Sequence, residues 1–181
     1  ARWQNQALLV AETRLQAELT DKHPDAVNAA IFLNLVLQKI VLREGTSHPD
    51  AVLRAAVSES VRQVSFSDEM KRAIELAPMR QREDLKNSDW ALHTLESALW
   101  AVYTTRSFEE ALVQVVNLGA DADTTGCVAG AIAGAIYGLD AIPARWQDQL
   151  HGEYPLRSGH IWLAGDFIDL ADQLSKLTQE I

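Results

Sequence analysis

The chain has 181 residues, of which 48% are hydrophobic and 23% are charged, an ordinary composition for a water-soluble globular domain. Its net charge of −9 argues against nucleic acid and anionic membrane surfaces as partners, because both are bound by clustered Lys and Arg. The single cysteine excludes an internal disulfide, and no N-terminal stretch resembles a signal peptide, so we expect the protein in the cytoplasm. No linker rich in Gly, Pro or Ser divides the sequence, so we expect one domain over 1–181.

Nearly every segment predicts a helix, and no convincing two-residue alternation predicts a strand. In chain order the pattern predicts helices over 3–18, 26–42, 49–64, 67–77, 90–104, 107–117 and 125–137, a short one from 143, and a last one over 162–177. Pro24 and Pro49 stand where helices begin, and Gly45 and Gly138 stand where they end. The polar stretch 79–87 reads as a loop. We predict an all-α fold, a compact orthogonal bundle of about eight helices, since no heptad repeat persists.

A stripe of glycines marks one apolar helix. Gly126, Gly130, Gly134 and Gly138 recur every four residues, so they share one helical face on which another element can approach closely. Glycine costs about 1 kcal/mol relative to alanine at a helix position, which indicates a packing role for the stripe. We expect a buried central helix whose stripe faces a neighbour, and in it Cys127 as a small core residue rather than a catalytic thiol.

The segment 117–126 places two carboxylates and a hydroxyl within four residues, at Asp121, Asp123 and Thr124. Oxygen ligands packed this closely suit a hard cation such as Mg²⁺, Mn²⁺ or Ca²⁺. They precede an apolar helix, whose first N–H groups lack partners within the helix and favour anionic groups. Asp and Thr at such a place also serve as ordinary helix caps. The segment alone therefore leaves a cation site and a cap as alternatives.

Two further residues stand at predicted helix starts. His23 precedes Pro24 at one of them, where a structural histidine near a helix N-terminus is one interpretation. Trp90 opens the helix predicted over 90–104, where a core aromatic on an amphipathic helix is one interpretation.

Three segments together resemble the ADP-ribosylglycohydrolase family. The run Leu-Gly-Ala-Asp-Ala-Asp-Thr-Thr-Gly at 118–126, with the glycine-rich helix behind it, resembles the family's C-terminal signature. The segment at 19–26 resembles its Thr-His-x-His-Pro segment, and 90–100 resembles its aromatic-x-x-x-Thr-Leu-Glu-x-Ala-Leu helix. The resemblance spans 19–150 and is most specific in Asp-x-Asp-Thr-x-Gly. It implies the family's fold and metal-dependent hydrolysis of the glycosidic bond between ADP-ribose and an acceptor such as a protein arginine.

The resemblance also implies cofactors, partners and residue roles. The complete enzyme would hold two divalent cations, Mg²⁺ or Mn²⁺, which position the ribose hydroxyls and activate a water. Asp121, Asp123 and Thr124 would anchor one cation, and His23 and Trp90 would lie against the substrate. The partners would be an ADP-ribosylated protein or a small ADP-ribose conjugate, together with a complementary N-terminal chain or a second copy of this chain.

The chain departs from the family pattern in its N-terminal segments. It contains no Thr-Asp-Asp segment, no Gly-Asp-Ala-like opening and no Gly-Asn-Gly phosphate loop, so it resembles the C-terminal part of the fold and leaves the catalytic residue unassigned. Three oxygen ligands fall short of the six or more that Ca²⁺ or Mg²⁺ takes. Asp21 stands where the family has its first histidine and would repel a diphosphate. The alternatives are a site completed by another chain, a fragment, a catalytically silent relative that binds ADP-ribose or acts structurally, and a scaffold with an ordinary cap.

Overall fold

The computed structural model describes residues 3–45 and 48–176, which form nine α-helices and one two-stranded sheet. The helices are α1 (Gln6–Ala17), α2 (Pro24–Val41), α3 (Pro49–Val61), α4 (Asp68–Leu76), α5 (Ala91–Thr104), α6 (Phe108–Val116), α7 (Ala122–Tyr137), α8 (Ala144–Gln147) and α9 (Ala164–Lys176). The strands β1 (His151–Glu153) and β2 (Ile161–Leu163) pair antiparallel, and single 3₁₀ turns cover Ala77–Met79, Arg82–Asp84 and Leu139–Ala141. The predicted all-α class is confirmed.

Helices α2, α5 and α7 build the core. Their buried side chains include Phe32, Val36 and Ile40 of α2, Leu92, Leu95 and Leu99 of α5, and Ile132, Ala133 and Ile136 of α7. These positions recur at the three- and four-residue spacing of one helical face, so each helix turns a broad apolar face inward. By length and hydropathy α2 also resembles a membrane span, yet 44% of that window is buried within this fold, as in a central core helix.

The prediction of a helix over 162–177 is wrong at its start, because β2 occupies the first two positions, and residue 177 lies outside the described residues. The Trp162 ring packs against Phe167 with centroids 5.5 Å apart. The Trp162 indole N–H donates to the carbonyl of Tyr154 at 3.0 Å, which fixes the hairpin. Strands of three residues are too short for a two-residue alternation to stand out in the sequence.

Helix α9 is attached differently from the other long helices. None of its residues in the described range Ala164–Lys176 is buried. Its apolar side chains, among them Phe167 and Ile168, line a groove of about 630 Å³ whose opposite wall includes Phe108 and Trp146. The contact between α9 and the helical body is therefore apolar but loosely filled.

The glycine stripe of α7 faces α6, as predicted. A methyl group built on Gly126, Gly130 or Gly134 would lie 3.4, 3.7 or 3.9 Å from the side chains of Val116, Leu112 and Phe108, respectively. These are ordinary van der Waals distances, so side chains of α6 already fill the space beside the stripe. Gly138 has a separate role, because it ends α7 with φ 82° and ψ 174°, a conformation open essentially to glycine alone.

The expectation that Cys127 is a core residue is wrong, because Cys127 is exposed. It lies on the outward face of α7 together with Asp123, Thr124 and Ala131, which are also exposed. The apolar run of α7 misled the prediction, because small residues continue around the side of the helix that no described element covers. Only the side that carries residues such as Thr125 and Ile132 is buried.

The packing of the stripe predicts opposite effects for two substitutions of Gly130. Gly130→Ala should be tolerated or raise the free energy of unfolding by up to about 1 kcal/mol, because alanine favours a helix and its methyl group fits. Gly130→Leu should lower it by about 1–3 kcal/mol or more, because a larger side chain forces α6 and α7 apart. Urea unfolding measures both, and an unchanged midpoint for Gly130→Leu would show that the stripe is not packed.

Candidate functional site

The segment between α6 and α7 makes a sharp turn that ends at Asp121, the N-cap of α7. Gly119 and Ala120 both have left-handed backbone conformations, with φ of 76° and 50°. This conformation suits glycine but costs a residue with a Cβ roughly 1–2 kcal/mol, so the turn holds strain at Ala120. Such strain persists only where the surroundings over-determine the conformation.

Asn87 supplies that constraint from the loop before α5. Its side-chain N–H₂ donates to the carbonyl of Gly119, and its backbone carbonyl accepts the N–H of Asp121 at 3.3 Å. Its side-chain oxygen accepts the hydroxyl of Thr125 at 2.6 Å. Asn87 is 8% exposed and Thr125 is fully buried, so these bonds lie away from water. The turn is therefore tied at both ends to one residue, which sequence reasoning assigned only to a polar loop.

Asp121 and Thr124 are brought together as the sequence predicts. The Thr124 hydroxyl donates to Asp121 Oδ1 at 2.8 Å, whereas no N–H of α7 donates to the Asp121 side chain. Asn5, Ser67 and Ser107 do accept such an N–H at the starts of their own helices. Asp121 is thus not acting as an ordinary cap, which weighs against the cap alternative.

Asp123 lies in the first turn of α7 and is exposed. Two carboxylates and a hydroxyl within four residues at the start of a helix fit part of the oxygen set of a hard cation. Within the ranges 3–45 and 48–176, no three His, Cys, Asp or Glu side chains gather as metal ligands. The described residues therefore offer three candidate oxygen donors, and water, substrate or other protein groups would have to supply the rest.

His23 and Trp90, predicted from separate segments, contact each other. Their ring centroids are 4.8 Å apart and the rings meet edge to face at 82°. Trp90 is half-buried against the core, and its indole N–H donates to Glu69 Oε1 at 3.3 Å. His23 is exposed, and its Nδ1 accepts the N–H of Asp25 at 3.2 Å, so it also caps α2. Each residue therefore makes a structural contact, Trp90 with the core and His23 with the start of α2, and these contacts bring the two rings together.

The aromatic pair of His23 and Trp90 and the turn before α7 (residues 117–121) are held by one short segment, residues 87–90. Asn87 bonds the loop, and three residues later Trp90 meets His23, so the Cα atoms of Asn87 and Trp90 are at most about 11 Å apart. Ser88 fixes the segment, because its hydroxyl accepts the N–H of Trp90 at 3.2 Å and bonds His93 Nδ1 at 2.8 Å. The candidate residues thus belong to one region of the surface.

A partly buried ion pair joins the loop over 79–87 to α5. Arg80 Nε lies 2.6 Å from Glu96 Oε1, and the Glu96 side chain is 8% exposed. The indole N–H of Trp100 donates to the carbonyl of Arg80 at 3.1 Å. Arg82 donates to the carbonyl of Asn117, which joins the same loop to the turn before α7. The loop over 79–87 is therefore anchored to α5 on one side and to the turn before α7 on the other.

The side chain of Asp21 accepts a hydrogen bond within the turn that leads into α2. Its Oδ1 accepts the backbone N–H of His23 at 2.8 Å. The carboxylate therefore helps to shape the start of α2. It also places a carboxylate next to the backbone of the exposed His23.

The chain was compared with known proteins. A family model described as ADP-ribosylglycohydrolase matches residues 1–180. The ADP-ribosylarginine hydrolase Tri1 of Serratia proteamaculans is 31% identical over 141 residues, which are 77% of this chain and 36% of that protein. The ADP-ribosyl-(dinitrogen reductase) glycohydrolase of Rhodospirillum rubrum is 31% identical over 135 residues, 75% of this chain and 41% of that protein. The human ADP-ribosylhydrolase ARH3 is 46% identical over 46 residues, 25% of this chain and 13% of that protein.

A solved structure described as an ADP-ribosylglycohydrolase-related protein complex has the same fold. It matches with a TM-score of 0.70 and 36% identity, over 82% of this chain and 50% of that one. The matched region thus makes up half or less of the length of each of these relatives. The family match over nearly the whole chain, together with these relatives, establishes that the chain belongs to the ADP-ribosylglycohydrolase family.

Proposed function

We propose that this chain carries part of the active site of an enzyme that hydrolyses the glycosidic bond between ADP-ribose and an acceptor. The observation that carries the proposal is the Asp121 carboxylate, which accepts the Thr124 hydroxyl but no helix N–H, on a loop held by the segment that presents Trp90. Membership of the family supports the reaction type. The names of two relatives, an ADP-ribosylarginine hydrolase and an ADP-ribosyl-(dinitrogen reductase) glycohydrolase, support arginine on a protein or small conjugate as the acceptor.

Asp121, Asp123 and Thr124 are the residues that would hold a divalent cation, Mg²⁺ or Mn²⁺. Such an ion supplies positive charge for the ribose hydroxyls and for the attacking water. The chain's own contribution is to hold these oxygens in place before the ligand arrives. The overall reaction adds water across the bond: oxygen joins the anomeric carbon, the bond to the acceptor breaks, and the acceptor leaves with a proton. The group that transfers this proton is unassigned.

His23 and Trp90 would bind the nucleotide part of the substrate. Stacking needs one open face, and the half-buried Trp90 meets His23 edge to face, so the exposed part of its surface is available to an adenine. Because His23 Nδ1 accepts the N–H of Asp25, the neutral ring carries its proton on Nε2. That N–H can donate to a phosphate or hydroxyl oxygen, whereas the carboxylate of Asp21 opposes a diphosphate.

The second candidate is a catalytically silent relative that binds ADP-ribose. Two observations favour it: the described residues offer only two carboxylates and one hydroxyl at the loop, and Asp21 places a carboxylate next to the backbone of His23. A silent binder would keep the aromatic pair and lose the requirement for a cation. The two candidates therefore differ in which ligand they bind.

Titration calorimetry with Mn²⁺ and with ADP-ribose separates these functions. For the enzyme we expect both ligands to bind, and Asp121→Asn to weaken Mn²⁺ binding at least tenfold, because even outer residues of metal sites contribute 10–100-fold. Asp140→Asn is the matched control, since Asp140 is exposed near the opposite end of α7. ADP-ribose binding without Mn²⁺ binding would identify the silent relative. Binding of neither ligand would leave only a scaffold.

Substitutions of Trp90 test the nucleotide role. Trp90→Phe keeps an aromatic face and should retain most of the ADP-ribose affinity. Trp90→Leu keeps an apolar side chain against the core but removes the face, so it should weaken binding by about 1–3 kcal/mol. Equal affinities for the two variants, measured by calorimetry, would assign Trp90 to the core alone.

The incomplete ligand set predicts that this chain alone does not turn over ADP-ribosyl-arginine, even in millimolar Mg²⁺. Three protein oxygens do not hold two cations against water. A complementary N-terminal polypeptide that carries a Thr-Asp-Asp segment should restore turnover if the two parts assemble. Release of ADP-ribose is the measurement. Robust turnover by the 181-residue chain alone would contradict the prediction and direct attention to Asp21 or Asp25 as the missing carboxylate.

A further inference from the structure

We propose that Asn87 is a positioning residue that keeps the Asp121 carboxylate out of its helix cap and so leaves it available to a cation. The inference rests on the proposed function for its consequence, cation binding. Its structural part, the control of the backbone at Asp121, is independent of that function. Asn87 would not itself bind the cation, because its side chain already bonds Gly119 and Thr125.

Three other N-caps with short side chains, Asn5, Ser67 and Ser107, show what Asp121 avoids. Asn5, Ser67 and Ser107 have extended backbones with ψ of 106°, 161° and 161°, and each side chain accepts an N–H from the first turn of its helix. An extended backbone is what brings a short polar side chain over that first turn. Asp121 has ψ 54° instead, and its side chain accepts no N–H of α7. Its carboxylate is therefore held away from the partners that an N-cap Asp normally takes.

The bonds of Asn87 account for this backbone. The Asp121 N–H donates to the Asn87 backbone carbonyl, which fixes the position of the chain where it enters Asp121. The bond from the Asn87 amide to the Gly119 carbonyl holds the left-handed pair Gly119 and Ala120 directly before it. The bond to the Thr125 hydroxyl fixes the far side of the same turn of α7. Asn87 thus restrains the chain on both sides of Asp121.

The burial of these partners makes the restraint strong. Asn87 is 8% exposed and Thr125 is fully buried, so water does not replace a lost bond there. The hydroxyl of Thr125 donates to Asn87 and lies 2.9 Å from the carbonyl of Asp121, within the same buried network. A purely stabilising role would use the same bonds, so the decisive readout is cation affinity and loop conformation rather than stability.

The matched control is Asn34, whose side-chain N–H₂ donates to the hydroxyl of Thr13 at 3.1 Å. Thr13 is also buried, so Asn34→Ala removes an Asn–Thr bond, here with the amide as the donor, between α1 and α2, elements that do not form the turn before α7. Both alanine variants should lower the unfolding midpoint. Only Asn87→Ala should weaken Mn²⁺ binding, by 10–100-fold, the usual effect of removing a residue that orients a metal ligand.

Variants of Thr125 keep the test decisive if Asn87→Ala does not fold. Thr125→Val replaces the hydroxyl by a methyl group of similar size and should weaken Mn²⁺ binding in the same direction. Thr125→Ser retains the hydroxyl and should preserve the affinity. Unchanged Mn²⁺ affinity in folded Asn87→Ala, or equal affinities for Thr125→Val and Thr125→Ser, would overturn the proposal.

Amide hydrogen exchange separates this proposal from the proposed function. Asn87→Ala keeps the backbone carbonyl that accepts the Asp121 N–H but removes the side-chain bonds to Gly119 and Thr125. Because those two bonds hold the turn, the N–H of Asp121 should exchange faster in this variant, and the backbone chemical shifts of residues 119–125 should move toward those of an ordinary extended N-cap. The shifts in Asn34→Ala should stay as in the parent protein. If the parent protein binds no Mn²⁺, the proposed function fails, and the exchange measurement still decides the restraint. Unchanged exchange and shifts at 119–125 would overturn it.

Discussion

The buried amide of Asn87 is the interaction on which the candidate site depends. A side-chain amide has two donors and an acceptor, and here it bonds a backbone carbonyl and a buried hydroxyl while its own backbone carbonyl takes a third partner. An apolar residue in that position would lose both side-chain bonds and keep only the backbone carbonyl as a partner of the turn. Asn87 thereby restrains both the left-handed Ala120 and the Asp121 carboxylate, which accepts no N–H of α7.

The rest of the fold places that amide where it is needed. Helices α5 and α7 pack side by side in the core, so the loop entering α5 and the loop entering α7 emerge at neighbouring points. Two contacts attach the loop before α5 to that helix: the partly buried ion pair of Arg80 with Glu96, and the hydrogen bond from the Trp100 indole to the Arg80 carbonyl. A rigid helical scaffold thereby carries its functional groups on two short connected loops, as the geometry of a ligand site requires.

The long core helices α2, α5 and α7 were predictable from the sequence because each carries an apolar face several turns long. Proline marks the starts of α2 and α3. Asp121 and Thr124 were predictable because their contact is local. Asn87 was not, since its partners lie more than thirty residues away and nothing in the periodicity connects a polar loop to them. Cys127 was placed wrongly, because composition alone does not tell which side of an apolar helix the other elements cover.

The loose attachment of α9 has a consequence for how the molecule comes apart. A cooperative unit of unfolding is held together by shared buried contacts, and α9 contributes no buried residue in its described range. The hairpin and α9 should therefore open as a separate local unit, well below the free energy at which α2, α5 and α7 separate. A protease at low concentration would meet this C-terminal unit first, while the loops that carry the candidate site stay folded with the core.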